Sequence, residues 1–223
     1  MTLATLGILQ RTYPIRTNLG SATGFVREVG RMQYLITAAH MFAEERRELS
    51  IFFDGTWNSV PHAEIHKTFD IAVIPLHDSA HDTDPIPMGS DGMMLGEEVQ
   101  FFGFPQGLPW DISELAQWEK RSIPVTKRGT IAACLSGVAS GGNFDLVLDA
   151  VAWPGFSGSP IVVSRPNESE SKVKVIGIVT GLSYPNAPAS DDGDHSLVRA
   201  GFVQACKIDS ALELMKRHSG TAL

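Results

Sequence analysis

The stretch Pro154-Gly155-Phe156-Ser157-Gly158-Ser159-Pro160 lies between two runs of apolar, strand-like residues. Glycine tolerates backbone conformations that other residues resist, so the chain can turn sharply here and project the Ser157 hydroxyl. In such a turn, successive N–H groups converge on one point, where they can bind an oxyanion. The stretch therefore predicts a serine nucleophile that carries its own anion-binding hole.

A serine hydroxyl is a weak nucleophile near neutral pH, so it needs a neighbouring base that a third group orients. Two segments upstream supply candidates. His40 ends the apolar run 35–39, and Asp70 directly precedes the apolar run 71–76. His40 is therefore a candidate for the base, and Asp70 a candidate for the group that orients it.

Short apolar runs separated by turn residues make up most of the chain, which contains 21 glycines and 13 prolines. This pattern is typical of an all-β barrel or sandwich rather than a βαβ sheet. Two segments have helical spacing, residues 111–120 and the tail, where four apolar residues recur at i, i+3, i+4 and i+7: Ile208, Ala211, Leu212 and Met215. Residues 183–199 are polar and predict a long surface loop.

Composition excludes several classes of function. Of the 223 residues, 43% are hydrophobic, and the net charge is −7, which disfavours nucleic acid as a ligand. Every apolar stretch is far shorter than the roughly 20 residues that cross a bilayer, so we expect no membrane span. We also read no signal peptide and expect a cytoplasmic protein whose two cysteines, Cys134 and Cys206, are reduced.

The motifs resemble those of the chymotrypsin-fold serine peptidases, and among them the bacterial HtrA/Deg-like and glutamyl-endopeptidase-like branch. The matching motifs occur in the same order over nearly the whole chain, from about residue 20 to 216. They are Ser21-Ala-Thr-Gly-Phe-Val, Thr37-Ala-Ala-His40, Asp70-Ile-Ala-Val, Asp149-Ala-Val-Ala-Trp-Pro-Gly-Phe-Ser157-Gly-Ser-Pro, Val175-Ile-Gly-Ile-Val and Ala200-Gly-Phe-Val.

The resemblance implies two six-stranded antiparallel β-barrels and a C-terminal helix, with the reacting residues in the cleft between the barrels. We expect residues 1–105 to form the first barrel, 106–128 the connection, and 129–223 the second barrel with the helix. His40 would be the general base, Asp70 would fix its tautomer, and Ser157 would attack the peptide carbonyl. The N–H groups of Gly155 and Ser157 would form the oxyanion hole. The reaction of this family needs no cofactor and no metal ion. We expect the chain to consist of a peptidase domain alone.

Substrate preference follows from the residues that the resemblance assigns to the pocket for the residue preceding the cut. None of them is charged, and no carboxylate stands where a trypsin-like site holds Lys or Arg. We therefore predict a small or medium apolar side chain at that position. The pocket residues are Val151, Ala152, Val179, Thr180, Gly181 and Leu182.

The sequence also lacks features of zymogens activated by N-terminal cleavage: Phe156 occupies the place of the aspartate that captures a new N-terminus. We therefore expect an activating protein partner or the substrate itself to order one of the loops 105–128, 136–143 or 183–199.

Several alternatives compete with this interpretation. A protease fold without activity, acting as a binding module, would keep every structural expectation. An α/β-hydrolase esterase would need the order Ser, acid, His, which the chain does not favour. The histidine pairs His62 and His66, or His77 and His81, have metal-binding spacing only on a helix, and nearby prolines disfavour one. Three aspartates, Asp191, Asp192 and Asp194, are too few for a dedicated calcium loop.

Overall fold

In the computed structural model of the chain, the described residues are 3–17, 20–29, 32–42, 49–53, 55–60, 63–76, 86–106, 123–135, 143–165, 172–183 and 201–219. Most of them form thirteen β-strands in two sheets, which confirms the all-β class. None of the helices in these ranges is long and apolar enough to span a membrane.

The first sheet contains seven antiparallel strands, one more than predicted. They are β1 (Thr12–Thr17), β2 (Gly20–Val29), β3 (Met32–Thr37), β4 (Ser50–Phe53), β5 (Thr56–Ser59), β6 (Glu64–Ile65) and β7 (Ala72–Leu76). Their order across the sheet is β5-β4-β1-β2-β3-β7-β6. The additional pairing comes from β6, whose two residues bond to β7. Alternation of buried and exposed residues does not reveal so short a strand.

The second sheet closes into the predicted six-stranded barrel. Its strands are β8 (Glu98–Gly103), β9 (Val125–Cys134), β10 (Leu146–Asp149), β11 (Pro160–Arg165), β12 (Lys172–Ser183) and β13 (Phe202–Lys207). Around the barrel they follow the order β10-β13-β12-β11-β8-β9.

The prediction that residues 1–105 belong to the first barrel is wrong for β8, because this strand pairs with β9 and β11 of the closed barrel. Val99 and Phe101 of β8 are fully buried in the core of that barrel. A strand sequence fixes which side chains face the core, but it carries no information about which neighbouring strand will pair with it. The first sheet therefore ends with β7, at Leu76.

The tail helix is confirmed as α2 (Asp209–Ser219), which buries Ala211, Leu214 and Met215. A further helix, α1 (Leu3–Gln10), was not predicted. Its residues are almost all apolar, so they show no amphipathic spacing. It also lacks acidic residues in the first turn and basic residues in the last, so charge does not indicate a helix either. The helix predicted over 111–120 lies outside the described residues.

One apolar cluster joins the two sheets and both helices. Ile8 of α1, Phe25 of β2, Phe102 of β8 and Met215 of α2 all belong to it and are almost completely buried. Each sheet also has its own core cluster. Burial of this shared cluster stabilises the arrangement of the two sheets, because moving them apart would expose apolar surface to water. The loop before β7 of the first sheet and the loop before β10 of the second meet beside this apolar cluster.

Candidate active site

His40 and Asp70 lie at the same end of the first sheet. β3 and β7 are antiparallel neighbours, and Thr37 at the end of β3 pairs with Ala72 at the start of β7. His40 follows β3 in a short 3-10 helix over Ala39–Phe42, and Asp70 lies two residues before the start of β7, the strand partner of β3. The antiparallel register therefore brings together two residues that are thirty positions apart in the chain.

The Asp70 carboxylate holds His40 through both of its oxygens. Oδ2 lies 2.6 Å from the ring Nδ1 of His40, and Oδ1 accepts a hydrogen bond of 2.7 Å from the His40 backbone N–H. The Asp70 side chain is only 5% exposed, whereas that of His40 is 42% exposed. The carboxylate thus fixes the ring from its buried side, and the rest of the ring remains accessible. Nδ1 carries the shared proton in this arrangement, which leaves Nε2 as the basic nitrogen.

A contact from the second part of the chain also holds Asp70. The backbone N–H of Asp70 donates a hydrogen bond of 2.8 Å to the carbonyl of Asn143, which lies just before β10. Sequence patterns gave no sign of this bond, because a backbone carbonyl in a loop leaves no signature in the residue types.

The segment containing Ser157 turns sharply at two glycines in the left-handed region. The φ angles are +101° at Gly155 and +85° at Gly158. A side chain at Gly158 would also collide with its surroundings, since a Cβ there would lie 2.0 Å from the Thr23 carbonyl oxygen. Both the backbone angle and the close approach therefore require glycine at 158.

Two N–H groups of this turn differ from the other three in having no acceptor within the described residues. Among the described residues, neither the Gly155 nor the Ser157 N–H donates a hydrogen bond. The other three N–H groups of residues 155–159 are occupied: Phe156 donates to Trp153, Gly158 to Val179 and Ser159 to Phe156. The Pro154 carbonyl accepts a bond of 2.8 Å from the Gln106 N–H. Because the carbonyl and N–H of a trans peptide point in opposite directions, this bond directs the Gly155 N–H away from Gln106.

Thr23 of β2 links the turn at Ser157 to the first sheet. Its N–H donates 2.8 Å to the Ser157 carbonyl, and its hydroxyl donates 2.8 Å to the Gly155 carbonyl. The Thr37 hydroxyl in turn donates 2.8 Å to the Thr23 carbonyl. This chain of bonds links the turn to β3, the strand that leads to His40. The Thr23 motif was visible in the sequence, but its contact with the turn was not.

Ser157 and His40 are not hydrogen-bonded to each other in the described part of the chain. Ser157 is half-buried, and His40 presents the accessible side of its ring. Catalytic hydrogen bonds are often long in unliganded enzymes and shorten when substrate binds, so this arrangement is compatible with either a nucleophile or a silent site.

The residues predicted to form the substrate pocket all belong to the closed barrel. Val151 and Ala152 follow β10, with Val151 exposed and Ala152 buried. Val179 and Thr180 are buried in β12, where Gly181 and Leu182 pair with β13. The side chain of Leu182 lies outside the described atoms.

Two exposed aromatic residues near this pocket were not predicted. Trp153 is 41% exposed beside the turn at Ser157, and Phe202 is 46% exposed at the start of β13. The Lys127 ammonium lies 4.1 Å from the centre of the Trp153 ring, a cation–π contact. Both aromatics occur within the family-like motifs, so the signal existed, but their exposure depends on the tertiary structure.

Cys206 is completely buried and lies close to Asp70. Its thiol donates to the Asn143 carbonyl at 3.1 Å, the same oxygen that receives the Asp70 N–H. Burial raises the pKa of the Cys206 thiol to about 12, and the nearby carboxylate of Asp145 contributes in the same direction. Cys134, by contrast, is exposed.

We expect only Cys134 to react with iodoacetamide in the native protein. With the Cys206 pKa at about 12, roughly one Cys206 thiol in ten thousand is ionised at pH 8, and the group is also inaccessible. Intact mass spectrometry at pH 8 should show one added group in buffer and two in denaturant. Rapid double modification of the folded protein would contradict the burial of Cys206.

The residues considered for metal binding lie mostly outside the described part of the chain. Among the described residues, no group of three or more His, Cys, Asp or Glu side chains could hold a metal ion. His66 lies near Glu213 of α2 and accepts bonds from its own loop, whereas His62, His77, His81 and Asp191, Asp192 and Asp194 lie outside the described residues. Most of the loops 105–128, 136–143 and 183–199 are outside as well, so activation by a partner stays a prediction.

Comparison with known proteins agrees with this architecture. The family model for the trypsin-like peptidase domain matches residues 22–178, which is more than half of the chain. This range contains His40, Asp70 and Ser157. A search of curated protein sequences finds no match.

Solved structures with the same fold include two proteases. The inactive form of a serine-to-alanine mutant of Rv3671c from M. tuberculosis H37Rv is 15% identical, with a TM-score of 0.62 over 99% of this chain and 92% of that one. The HtrA-type protease AlgW, solved with tripeptide, is 19% identical, with a TM-score of 0.62 over 96% of this chain and 61% of that one. At these identities the likeness is one of fold. The chain belongs to the family of trypsin-like peptidase domains, and it is a serine endopeptidase of the chymotrypsin fold.

Proposed function

We propose that the protein cleaves peptide bonds in protein substrates with a triad of Ser157, His40 and Asp70. The observation that carries this proposal is the pair of hydrogen bonds that the Asp70 carboxylate accepts from His40, one of 2.6 Å from the ring Nδ1 and one of 2.7 Å from the backbone N–H. A buried carboxylate in this position does what the acid of a triad must do: it selects one tautomer and stabilises the imidazolium that forms during the reaction.

The anion-binding hole of the proposal consists of the N–H groups of Gly155 and Ser157. Its support is the bonding pattern of the turn, in which these two donors have no acceptor among the described residues and the other three N–H groups are occupied. Unused donors held by a rigid backbone stabilise negative charge without reorganising at the moment of reaction. Both glycines of the turn and the Thr23 clamp contribute that rigidity.

The reaction would proceed in two halves. His40 Nε2 takes the Ser157 proton as Oγ bonds to the substrate carbonyl carbon, and the carbonyl π electrons move to oxygen. The imidazolium then protonates the amide nitrogen as the C–N bond breaks, which leaves an acyl-enzyme. Water attacks the ester in the same way, with His40 accepting its proton and returning one to Ser157 Oγ. The products are a free amine and a carboxylic acid.

We expect cleavage after small or medium apolar residues. Val151, Ala152, Val179 and Thr180 offer no charge to a substrate side chain, and a charged group would lose hydration there without gaining a partner. Profiling with a peptide library, using Ser157→Ala protein as the blank, should give Ala, Val or residues of similar size before the cut. A preference for Arg, Lys or Glu would contradict this assignment of the pocket.

A fluorophosphonate probe tests the nucleophile directly. The probe should add one group to the wild-type protein, and peptide mapping should place it on Ser157. Ser157→Ala and His40→Ala should abolish labelling. Ser159→Ala is the matched control, because Ser159 is completely buried and its hydroxyl has no hydrogen-bond partner in the part of the chain that the structure describes, so labelling should continue. Failure of the folded wild-type protein to react would favour the alternative of a silent binding module.

A further inference from the structure

The loop that presents Asp70 is organised around the ring of His66. This ring is largely buried, with 11% of the side chain exposed. Its Nδ1 lies 3.2 Å from the N–H nitrogen of Thr68 and 3.0 Å from that of Phe69, and both groups donate to it. Nδ1 can accept these bonds only when it carries no hydrogen, so the ring proton of the neutral imidazole must be on Nε2.

The same residue closes the loop at its other end. The His66 backbone N–H donates 2.9 Å to the Ile71 carbonyl, and the Ile71 N–H donates 2.8 Å to the Phe69 carbonyl. The His66 ring also packs on the Phe69 ring, with 5.3 Å between centroids and an angle of 30°. The segment from His66 to Ile71 is thus a closed unit, with Asp70 as its fifth residue.

The helix α2 faces the other side of this ring. Nε2 of His66 lies 3.6 Å from one carboxylate oxygen of Glu213, and Arg217 donates to the other oxygen. A carboxylate beside Nε2 favours a hydrogen on that nitrogen, which is the tautomer that leaves Nδ1 free to accept. The orientation of the ring is therefore set from two sides, by the loop backbone and by α2.

We propose that His66 is a positioning residue for catalysis, which acts by holding the Asp70 carboxylate in register with His40. The inference rests on the proposed triad. Both oxygens of Asp70 bond to His40 at 2.6 and 2.7 Å, a bidentate contact that tolerates little displacement of the loop. Without the acceptor on His66, the N–H groups of Thr68 and Phe69 lose their partner, and the turn before Asp70 relaxes.

Two substitutions of His66 separate its acceptor atom from its bulk. His66→Phe keeps an aromatic ring against Phe69 but removes the acceptor. We expect kcat to fall about a hundredfold with little change in KM, because a misplacement of about 1 Å in a catalytic group produces an effect of this size. His66→Asn restores an acceptor, because an Asn side chain bonds to N–H groups two and three residues ahead. We expect it to recover most of the lost kcat.

A double-mutant cycle with Asp70→Asn distinguishes positioning from general destabilisation. Rates are measured per active site, with the concentration of folded enzyme taken from near-UV circular dichroism. If His66 acts through Asp70, then His66→Phe should cause no further loss in the Asp70→Asn background, since residues that act as a unit are not additive. An equal loss in both backgrounds would overturn the proposal, and so would a wild-type kcat for His66→Phe.

The same cycle separates this inference from the triad itself. If Asp70→Asn abolishes activity while His66→Phe retains it, only the role of His66 is wrong. If Asp70→Asn retains full activity, the triad is wrong, and the role of His66 fails with it.

Discussion

Replacement of Ser157 with alanine is expected to lower kcat about a million-fold, the cost of removing the nucleophile from a triad that acts as a unit. Residual hydrolysis would come from the N–H groups of Gly155 and Ser157 and from substrate binding, neither of which requires the hydroxyl. The N–H groups stay in place because the turn is held by its own backbone bonds and by Thr23, and not by the Ser157 side chain. We therefore expect the folded variant to bind peptide with unchanged affinity.

The measurement is single-turnover cleavage of a peptide chosen by library profiling. Peptide binding to the Ser157→Ala variant is followed separately by fluorescence anisotropy. Ser159→Ala serves again as the control, because it removes a hydroxyl two residues away that makes no hydrogen bond with any described residue. Cleavage by Ser157→Ala at the wild-type rate would show that another group carries the reaction.

Asp70→Asn should have the second-largest effect, a fall in kcat of about ten-thousand-fold. The amide oxygen of Asn can still accept the bond from the His40 N–H. The amide nitrogen would then face Nδ1 of the ring and donate to it, so the ring proton would have to move to Nε2. That tautomer has no lone pair available for the Ser157 proton, although the site would keep its shape.

Asp145→Asn is the matched control for this substitution. Asp145 is also a buried carboxylate that accepts a backbone N–H, that of Lys207 at 2.8 Å, and burial raises the pKa of its carboxyl group. It lies directly before β10 of the closed barrel, and none of its described hydrogen bonds or ion pairs involves His40, so kcat should be unchanged. Nitrogen NMR of labelled histidine distinguishes the two tautomers of His40 in each variant. Full activity of Asp70→Asn, or an equal loss in Asp145→Asn, would contradict the role of Asp70.

Local sequence patterns were sufficient to predict structural features that depend on a single segment of the chain. The spacing of Ile208, Ala211, Leu212 and Met215 predicted α2, because side chains three and four positions apart share one helix face. The glycines at 155 and 158 predicted a sharp turn at Ser157, and their positive φ angles agree with it. The helix α1 escaped prediction for the opposite reason, since a uniformly apolar segment has no polar face to mark its period.

Features that depend on a partner far along the chain could not be predicted in the same way. Nothing in the sequence of β8 indicates that it pairs within the closed barrel. His66 attracted attention only as one member of a metal-type pair, whereas its ring in fact accepts two N–H groups of its own loop. The exposure of Trp153 and Phe202 likewise depends on what the surrounding strands leave uncovered.

The division between the two kinds of information has a physical basis. The amino-acid sequence alone determined the residue types that can react and the local conformations they favour, because dihedral preferences and side-chain periodicity act over a few residues. Only the tertiary structure decided that the Asp70 carboxylate meets His40 with both oxygens, and that Thr23 clamps the Ser157 turn. Those contacts join segments 30 to 134 positions apart, and their distances are set by strand register and by the apolar cluster between the sheets.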